Sequence, residues 1–240
     1  MKKKTSILTF ILLLVFISQG CLGQEKYVTD TYDVENFHSI KSESIANIVI
    51  RQTPTTSVKI HGPENLLNAI DVYVSDGKLV IKSENKMFKK WKNRNRNKVI
   101  ISIMTPVLCK IESEGVGNII MEGEIKTAEL KIETEGVGNV KANNIIAEQI
   151  EIDSEGVGNI IIGGTADYAS IKSEGVGNIN AQQLKAKRLK VISEGVGNVI
   201  CFASDNLDAT SGGIGNITYY GNPKTKNINK NGIGKIRSGK

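Results

Sequence analysis

Hydrophobic and polar residues alternate along the chain between residues 109 and 217, and the alternation breaks repeatedly at one glycine-rich hexapeptide. Before each copy, apolar residues occupy every second position, which is typical of a half-buried β-strand. After each copy the parity of the apolar positions changes, so we expect the chain to bend there. The hexapeptide SEGVGN or a close variant of it begins at Ser113, Thr134, Ser154, Ser173, Ser193, Ser211 and Lys230.

The spacing of the copies predicts the fold. Their first glycines lie 18 to 21 residues apart, and a regular period of this length indicates a solenoid of stacked units. Because Gly and Asn tolerate positive φ, the Gly-x-Gly-Asn segment is predicted to be a corner between two strands. Stacking would align the asparagines in an amide ladder. The sequence therefore predicts an all-β, right-handed parallel β-helix of about seven coils of ~20 residues each.

The N-terminal third has a different pattern. The segment SESIAN at 42–47 is a degenerate copy of the corner, whereas Asp76-Gly77 between two alternating runs indicates a hairpin. We therefore expect residues 25–108 to form a capping region of antiparallel strands against the first coil, because solenoid ends require caps. The repeat array is then expected to span 109–240, with its last unit as the C-terminal cap.

The first 24 residues form a separate segment. MKKK supplies a positive start, Ile7–Ile17 is an apolar run too short to span a membrane, and small residues follow. This pattern predicts a secretory signal over 1–24. Cys21 follows small residues as in bacterial lipoprotein signals, so it is a candidate for lipid attachment, and ordinary cleavage after Gly20 or Gly23 is the alternative. In both cases the protein is expected in the bacterial cell envelope, anchored to the outer membrane, in the periplasm or at the cell surface.

Positive charge is concentrated in one loop. The formal net charge of the chain is +6, and residues 86–98 contribute seven basic residues and no acid. The rest of the exported chain is mildly acidic, which argues against a nucleic-acid partner. A basic loop with aromatic residues could hold an anionic polysaccharide, lipid headgroups or, despite the acidic remainder of the chain, nucleic acid, and the alternative is a solvated hairpin tip. The candidate ligand-binding residues are Lys86, Phe88, Lys89, Lys90, Trp91, Lys92, Arg94, Arg96 and Lys98.

Two columns of acidic residues precede the first corners and are predicted to face outward. Stacked like charges repel one another, and Ca²⁺ would relieve that repulsion by accepting carboxylate oxygens. The columns are therefore a candidate cation-binding ladder, with Ca²⁺ as the one cofactor that the pattern suggests. The alternative is a solvated face whose charge is offset by neighbouring lysines. The candidate ladder consists of Glu112, Glu114, Glu133, Glu135, Asp153 and Glu155.

The chain has few residues suited to catalysis. It contains no nucleophile elbow, no HExxH or CxxC motif and no phosphate loop. His38 falls in a column that is otherwise apolar, which predicts a packed histidine. Cys109 and Cys201 fall in core columns four coils apart, too far for a disulfide, and are predicted to be buried free thiols. We therefore expect a protein without enzymatic activity.

The ordered set of N-terminal segments and corners resembles the head GIN domain family. The resemblance extends from about Phe37 to Ile217 and covers FHSIKSESIANIVIRQ, the SVKI and NLL segments, DGKLVIKS, TPVLCKIESEGVGN and the Gly-Val-Gly-Asn corners. Members of this family are described as auto-transporter adhesins and are common in Bacteroidetes envelopes. The resemblance implies an exported β-helical protein, and it transfers no catalytic residues to this chain.

Together these features predict a monomeric adhesion or structural module of the envelope. Its ladders of side chains would contact a polysaccharide, a glycan or a protein surface, and it would contact the membrane only through an N-terminal lipid anchor. One alternative is a carbohydrate-active enzyme, a polysaccharide lyase or hydrolase, which would need an acid/base pair about 5–10 Å apart on one face. Another is a scaffold that self-assembles through the open solenoid end.

Overall fold

The computed structural model describes residues 26–84 and 99–239, so Cys21 and the basic loop 86–98 lie outside the described residues. Within these ranges the chain forms 17 strands and one short helix, α1 (Glu64–Leu67). The strands are β1 (Tyr27–Tyr32), β2 (Ser39–Glu43), β3 (Asn47–Gln52), β4 (Ser57–Pro63), β5 (Ile70–Ser75), β6 (Lys78–Ser83), β7 (Ile100–Thr105), β8 (Lys110–Ser113), β9 (Ile119–Glu122), β10 (Ile125–Thr134), β11 (Val140–Ser154), β12 (Ile160–Ser173), β13 (Ile179–Ser193), β14 (Val199–Ser211), β15 (Ile217–Tyr220), β16 (Thr225–Lys230) and β17 (Ile236–Ser238).

The strands stack in parallel along three sides of a β-solenoid. The first side, before the corner, consists of β6, β2, β8, the ends of β10 to β14, and β16. The second side, after the corner, consists of β7, β3, β9, the starts of β11 to β14, β15 and β17. The third side joins the start of β10 to the middle of β11, β12 and β13. The predicted β-solenoid is thus confirmed, with about six turns where about seven were expected.

The N-terminal strands do not stack in sequence order. The coil of β2 and β3 lies between β8 and β9 on one side and the later strands β6 and β7 on the other, all parallel. The outer edge is then covered by antiparallel strands, with β5 on β6, β4 on β7 and β1 on β4. Asp76 and Gly77 form the predicted hairpin turn, and both have positive φ, 53° and 71°. The antiparallel strands were expected, but the parallel β6 and β7, which extend the stack, were not.

Alternating residues of the first two sides fill a continuous core. On the first side Leu130, Ile132 and the equivalent residues as far as Leu207 and Ala209 are buried, and on the second side Ile160 and Ile162 are buried. The serines that precede the corners in later coils are buried too, at Ser154, Ser173, Ser193 and Ser211. A coil cannot bury these residues alone, so each coil depends on its neighbours in the stack.

The glycines of the corners allow successive coils to touch through their backbones. A Cβ atom added to Gly177 would lie 1.7 Å from the carbonyl oxygen of Gly158, and one added to Gly175 would lie 2.0 Å from that of Gly156. The Val176 amide between them donates a 3.0 Å hydrogen bond to the Gly156 carbonyl. Glycine is therefore required at both positions by the distance between coils, as well as by the turn.

The predicted asparagine ladder is confirmed. The backbone N–H and the Nδ2 group of Asn178 both donate to Oδ1 of Asn159, at 3.1 and 3.2 Å. The same pair of bonds repeats in each coil, and the ladder ends where the Lys235 amide donates to Asn216. Each side chain thus satisfies a backbone donor at the corner of the next coil. The ladder consists of Asn47, Asn118, Asn139, Asn159, Asn178, Asn198 and Asn216.

We expect Gly177→Ala to destabilise the fold strongly, by about 3 kcal/mol or more, because the methyl group would collide with a backbone that cannot move without separating two coils. Gly123→Ala is the matched control, since Gly123 also has positive φ, 80°, but an added Cβ would meet no atom within 4 Å. Its cost should be that of the strained backbone alone, about 1 kcal/mol. Denaturant unfolding of both variants measures the difference, and equal losses would contradict the proposed coil contact.

Candidate binding surfaces

The acidic ladder on the outer face of the first side contains lysines between its carboxylates. Lys110 Nζ lies 2.7 Å from Glu112 and 2.9 Å from Glu133 in the next coil. Lys131 Nζ lies 2.9 Å from Glu133 and 3.5 Å from Asp153. The acids three residues before the first glycine, which we call the inner column, are Glu112, Glu133 and Asp153. Ammonium groups thus bridge this column from coil to coil, which reduces the repulsion that would favour a bound cation.

The acids one residue before the first glycine, which we call the outer column, form fewer ion pairs. Glu114 Oε1 lies 2.7 Å from Lys41 Nζ, while Glu135 and Glu155 are exposed. In residues 26–84 and 99–239, no group of three or more His, Cys, Asp or Glu side chains is arranged to hold a metal ion. The structure therefore brings the predicted ladder residues together on one face, and the lysine bridges favour the alternative of a solvated ion-pair network.

The network changes the pKa values of its members in both directions. Burial raises the pKa of Glu133, but hydrogen bonds from Lys110 and Lys131 outweigh burial and hold it below its ordinary value. The pKa of Glu112 is lowered in the same way, by hydrogen bonds from Lys110 and Lys78 that outweigh burial. In contrast, burial and the neighbouring carboxylate of Glu151 raise the pKa of Asp153. Hydrogen bonds to Glu151 and Glu133 raise the pKa of Lys131.

The corner itself forms a second surface, which we call the corner face. It consists of the glutamate that precedes the first glycine, the aliphatic residue between the two glycines, and the ladder asparagine. The aliphatic side chains are exposed by about half or more, with Val157 at 52% and Ile233 at 72%. The alternation of the flanking strands does not predict this exposure. The exposed members are Val137, Val157, Val176, Val196, Ile214 and Ile233.

A groove of about 610 Å³ runs across four coils on the third side. Small residues form its floor, including Ala147 and Ala166, and charged residues stand along its walls. One of these, Lys187, lies 2.7 Å from Asp167, and another, Lys185 Nζ, lies 4.2 Å from the ring centroid of Phe202. The repeated motif does not predict this groove, because its residues lie in the variable segments between one corner and the next.

The two described cysteines differ in their surroundings. Cys201 is a buried free thiol, as predicted, and burial raises its pKa to about 12. The prediction for Cys109 was wrong, because this free thiol is only partly buried. Its neighbour towards the N-terminal end of the stack is the exposed His38, whose Nδ1 lies 3.3 Å from Cys109 Sγ. His38 is therefore not the packed histidine that its column predicted.

A model of the family described as "Putative auto-transporter adhesin, head GIN domain" matches residues 36–223. A solved putative adhesin from Bacteroides fragilis is 35% identical to this chain, with a TM-score of 0.85, and the match covers 90% of this chain and 98% of that one. A putative adhesin from Parabacteroides distasonis is 21% identical, with a TM-score of 0.68 over 90% and 98% of the two chains. The second likeness shows the fold alone.

A putative lipid binding protein from Parabacteroides distasonis shares the fold at 23% identity, with a TM-score of 0.63 over 89% of this chain and 97% of that chain. No curated protein matches this chain. In the described part of the chain, no helix has the length and apolar character needed to cross a membrane.

We expect Glu133→Gln to lower stability at pH 7 by up to about 1 kcal/mol, because the ion pairs are near the surface. The pKa of Glu133 is lowered in the folded state. Its stabilising effect is therefore present above the unfolded value of about 4.3 and is lost as pH falls through the folded value. Unfolding curves of variant and wild type should differ at pH 7 and converge in acid. Glu129→Gln, at an exposed position on the same strand, is the control, and an equal loss there would contradict this account.

We also expect iodoacetamide to label Cys109 in the folded protein and to leave Cys201 unmodified. Cys201 is fully buried, and its thiol with a pKa of about 12 is almost never ionised at pH 8. Peptide mapping by mass spectrometry measures the labelling of both sites. A denatured sample is the control that shows that both thiols react with iodoacetamide once they are exposed. Labelling of both cysteines at similar rates in the folded protein would show that the coils open readily.

Proposed function

Because this chain belongs to the family described as putative auto-transporter adhesin, head GIN domain, we propose that it is an exported, non-catalytic adhesion module of the bacterial cell envelope. The observation that supports this most directly is the regular stack, which presents identical outward columns over several coils. A surface that repeats at about 4.8 Å suits an extended polymer or a second regular surface. We propose an envelope polysaccharide, a glycan or a protein surface as the partner.

Export would use the signal at 1–24, and a lipid on Cys21 would attach the protein to the outer membrane. Stable attachment needs more than one acyl chain, which a lipoprotein anchor supplies. The strand that follows this segment, β1, pairs with β4 at the N-terminal end of the stack. The rest of the solenoid would then extend away from the membrane.

The basic loop 86–98 is the proposed ligand site. It connects β6 to β7, and both strands lie in the outermost parallel coil, next to the antiparallel strands β4 and β5. Seven cationic side chains would attract an anionic glycan or a lipid headgroup, and Phe88 and Trp91 would add stacking contacts. The acidic ladder is a weaker proposal, because Lys110 and Lys131 already neutralise its inner column.

The alternative of a carbohydrate-active enzyme would need an unpaired acid and base facing each other across a cleft. The third-side groove is a cleft that spans four coils, and its Asp167 is paired with Lys187. This pairing favours binding over catalysis. Release of new reducing ends from any bound polysaccharide would favour the enzyme instead.

We expect replacement of 86–98 by a Gly/Ser linker to weaken binding to anionic envelope polysaccharides at least tenfold, because the loop supplies the local positive charge. Binding of the purified protein to envelope polysaccharides, lipopolysaccharide and host glycans, with and without Ca²⁺, measures this effect. A second variant, with Phe88 and Trp91 changed to Ser and all seven cations kept, separates stacking from charge.

Unchanged binding after loop replacement would contradict the proposed site. If that residual binding required Ca²⁺, the site would move to the acidic ladder. Absence of binding to every polymer would favour a structural role in the envelope over adhesion.

A further inference from the structure

The stack requires the residue types of some corner columns and does not require those of two others. The glycines allow backbone contact, the asparagines satisfy backbone donors, and the preceding serines are buried. The glutamates are exposed instead, with Glu114 and Glu174 paired to lysines, and the aliphatic residues are exposed from Val137 onwards. In the five coils whose motif is SEGVGN or TEGVGN, both positions are identical, with Glu at 114, 135, 155, 174 and 194 and Val two residues later in each coil.

Other outward columns of the same coils vary freely. The column five residues after the first glycine contains Ile120, Lys141, Ile161, Asn180 and Ile200. The column three residues before the first glycine contains acids, a lysine and an isoleucine. If the coils resembled one another only because they arose by duplication, every outward column would be conserved between coils to the same degree. The uniform Glu and Val columns therefore indicate a shared role at the surface.

The shape of the corner face is self-complementary. A ridge of aliphatic side chains stands beside a strip formed by the second glycine of each corner, which is partly exposed and has no side chain, whereas the first glycine is buried in most coils. The ridge of one molecule can therefore enter the glycine strip of another, as identical side chains interdigitate between paired sheets in steric zippers. The match extends over several coils only if the partner has the same spacing between coils. A second copy of this chain meets that condition.

We propose that the corner face binds a second copy of this chain, so that the protein forms a parallel two-fold dimer in place of the monomer predicted from the sequence. A two-fold axis along the solenoid places the glutamate column of each copy opposite the asparagine column of the other. Each asparagine Nδ2 carries two N–H groups, of which the ladder uses one. The second N–H can donate to the facing carboxylate, for example from Asn159 to Glu155 of the partner.

The antiparallel arrangement is disfavoured by charge. A two-fold axis perpendicular to the solenoid would place the glutamate columns opposite each other, and like charges in register repel. The parallel arrangement also leaves both N-termini at the same end of the dimer, which two copies attached to one membrane require. That last point depends on the proposed lipid anchor, whereas the interface itself does not.

The ridge is one side chain wide, so the interface is smaller than the ~1,600 Å² typical of stable complexes, and we expect a dissociation constant of about 10 μM or weaker. Sedimentation equilibrium of the purified protein from about 1 μM to 1 mM should therefore show a concentration-dependent rise towards twice the mass of the chain. A monomer mass over the whole range would overturn the proposal.

The double variant Val157→Lys, Val176→Lys tests the surface. It should raise the dissociation constant at least tenfold, because solvated ammonium groups replace the interdigitating ridge. The matched control is Ile120→Lys, Ile161→Lys, since these residues are also exposed, at 36% and 45%, but lie on the second side. Melting temperatures near that of the wild type confirm that both variants fold. Equal dissociation constants for the ridge variant and the wild type would overturn the proposal.

Val137→Cys tests the orientation, in a Cys109→Ser background because Cys109 is itself a partly exposed free thiol. In the parallel dimer position 137 lies close to its own equivalent, and a short bis-maleimide should link the two chains. In an antiparallel dimer it would lie opposite Ile233, five coils and about 24 Å from its equivalent. Ile161→Cys in the same background is the control for random cross-linking. Cross-linking of the control and not of Val137→Cys would overturn the proposed arrangement.

Glycan binding by the lysine variants is measured separately. Failure of the dimer proposal is therefore distinct from failure of the adhesion proposal.

Discussion

The contact between glycine backbones at successive corners determines the rest of this structure. At both glycines of a corner, a Cβ atom would lie within about 2 Å of a carbonyl oxygen in the preceding coil. The coils can therefore approach to the ordinary strand spacing at the point where the chain turns most sharply. Because this distance is maintained at the corners, the strands on either side keep their register. The asparagine ladder and the buried serine column are possible only with that register.

Regular stacking also has a cost, because it places like side chains above one another. On the first side that cost is reduced by lysines such as Lys110 and Lys131, which bridge carboxylates of neighbouring coils. The raised pKa of Asp153 marks the place where burial and a neighbouring carboxylate outweigh the bridging lysine. At the corner the aliphatic side chains carry no charge, so they stack without repulsion but remain exposed to water, whereas the glutamates beside them are paired with lysines at Glu114 and Glu174. The two outer surfaces therefore solve the same constraint differently.

The repetitive part of the fold could be predicted from the sequence because every local feature has the same period. Alternation defined the strands, Gly-x-Gly-Asn defined the corner, and the columns placed Cys201 in the core. The N-terminal region could be predicted only in part. The Asp76-Gly77 hairpin is a local feature, but the insertion of β2 and β3 between later strands is a long-range pairing without a local pattern. For the same reason Cys109 was assigned to the core, although its neighbour is His38 rather than an apolar residue of a complete coil.

Surface features were harder to predict than the core, for a physical reason. Burial restricts a column to apolar residues and is visible as a pattern, whereas an exposed column is free to vary. The third-side groove depends on small residues such as Ala147 and Ala166, which come from segments with no repeated motif. An exposed column that does not vary is therefore informative, because folding does not demand its identity. In this chain the uniform glutamate and valine columns at the corners meet that criterion. Their side chains are also the ones that a partner approaching the corner would contact first.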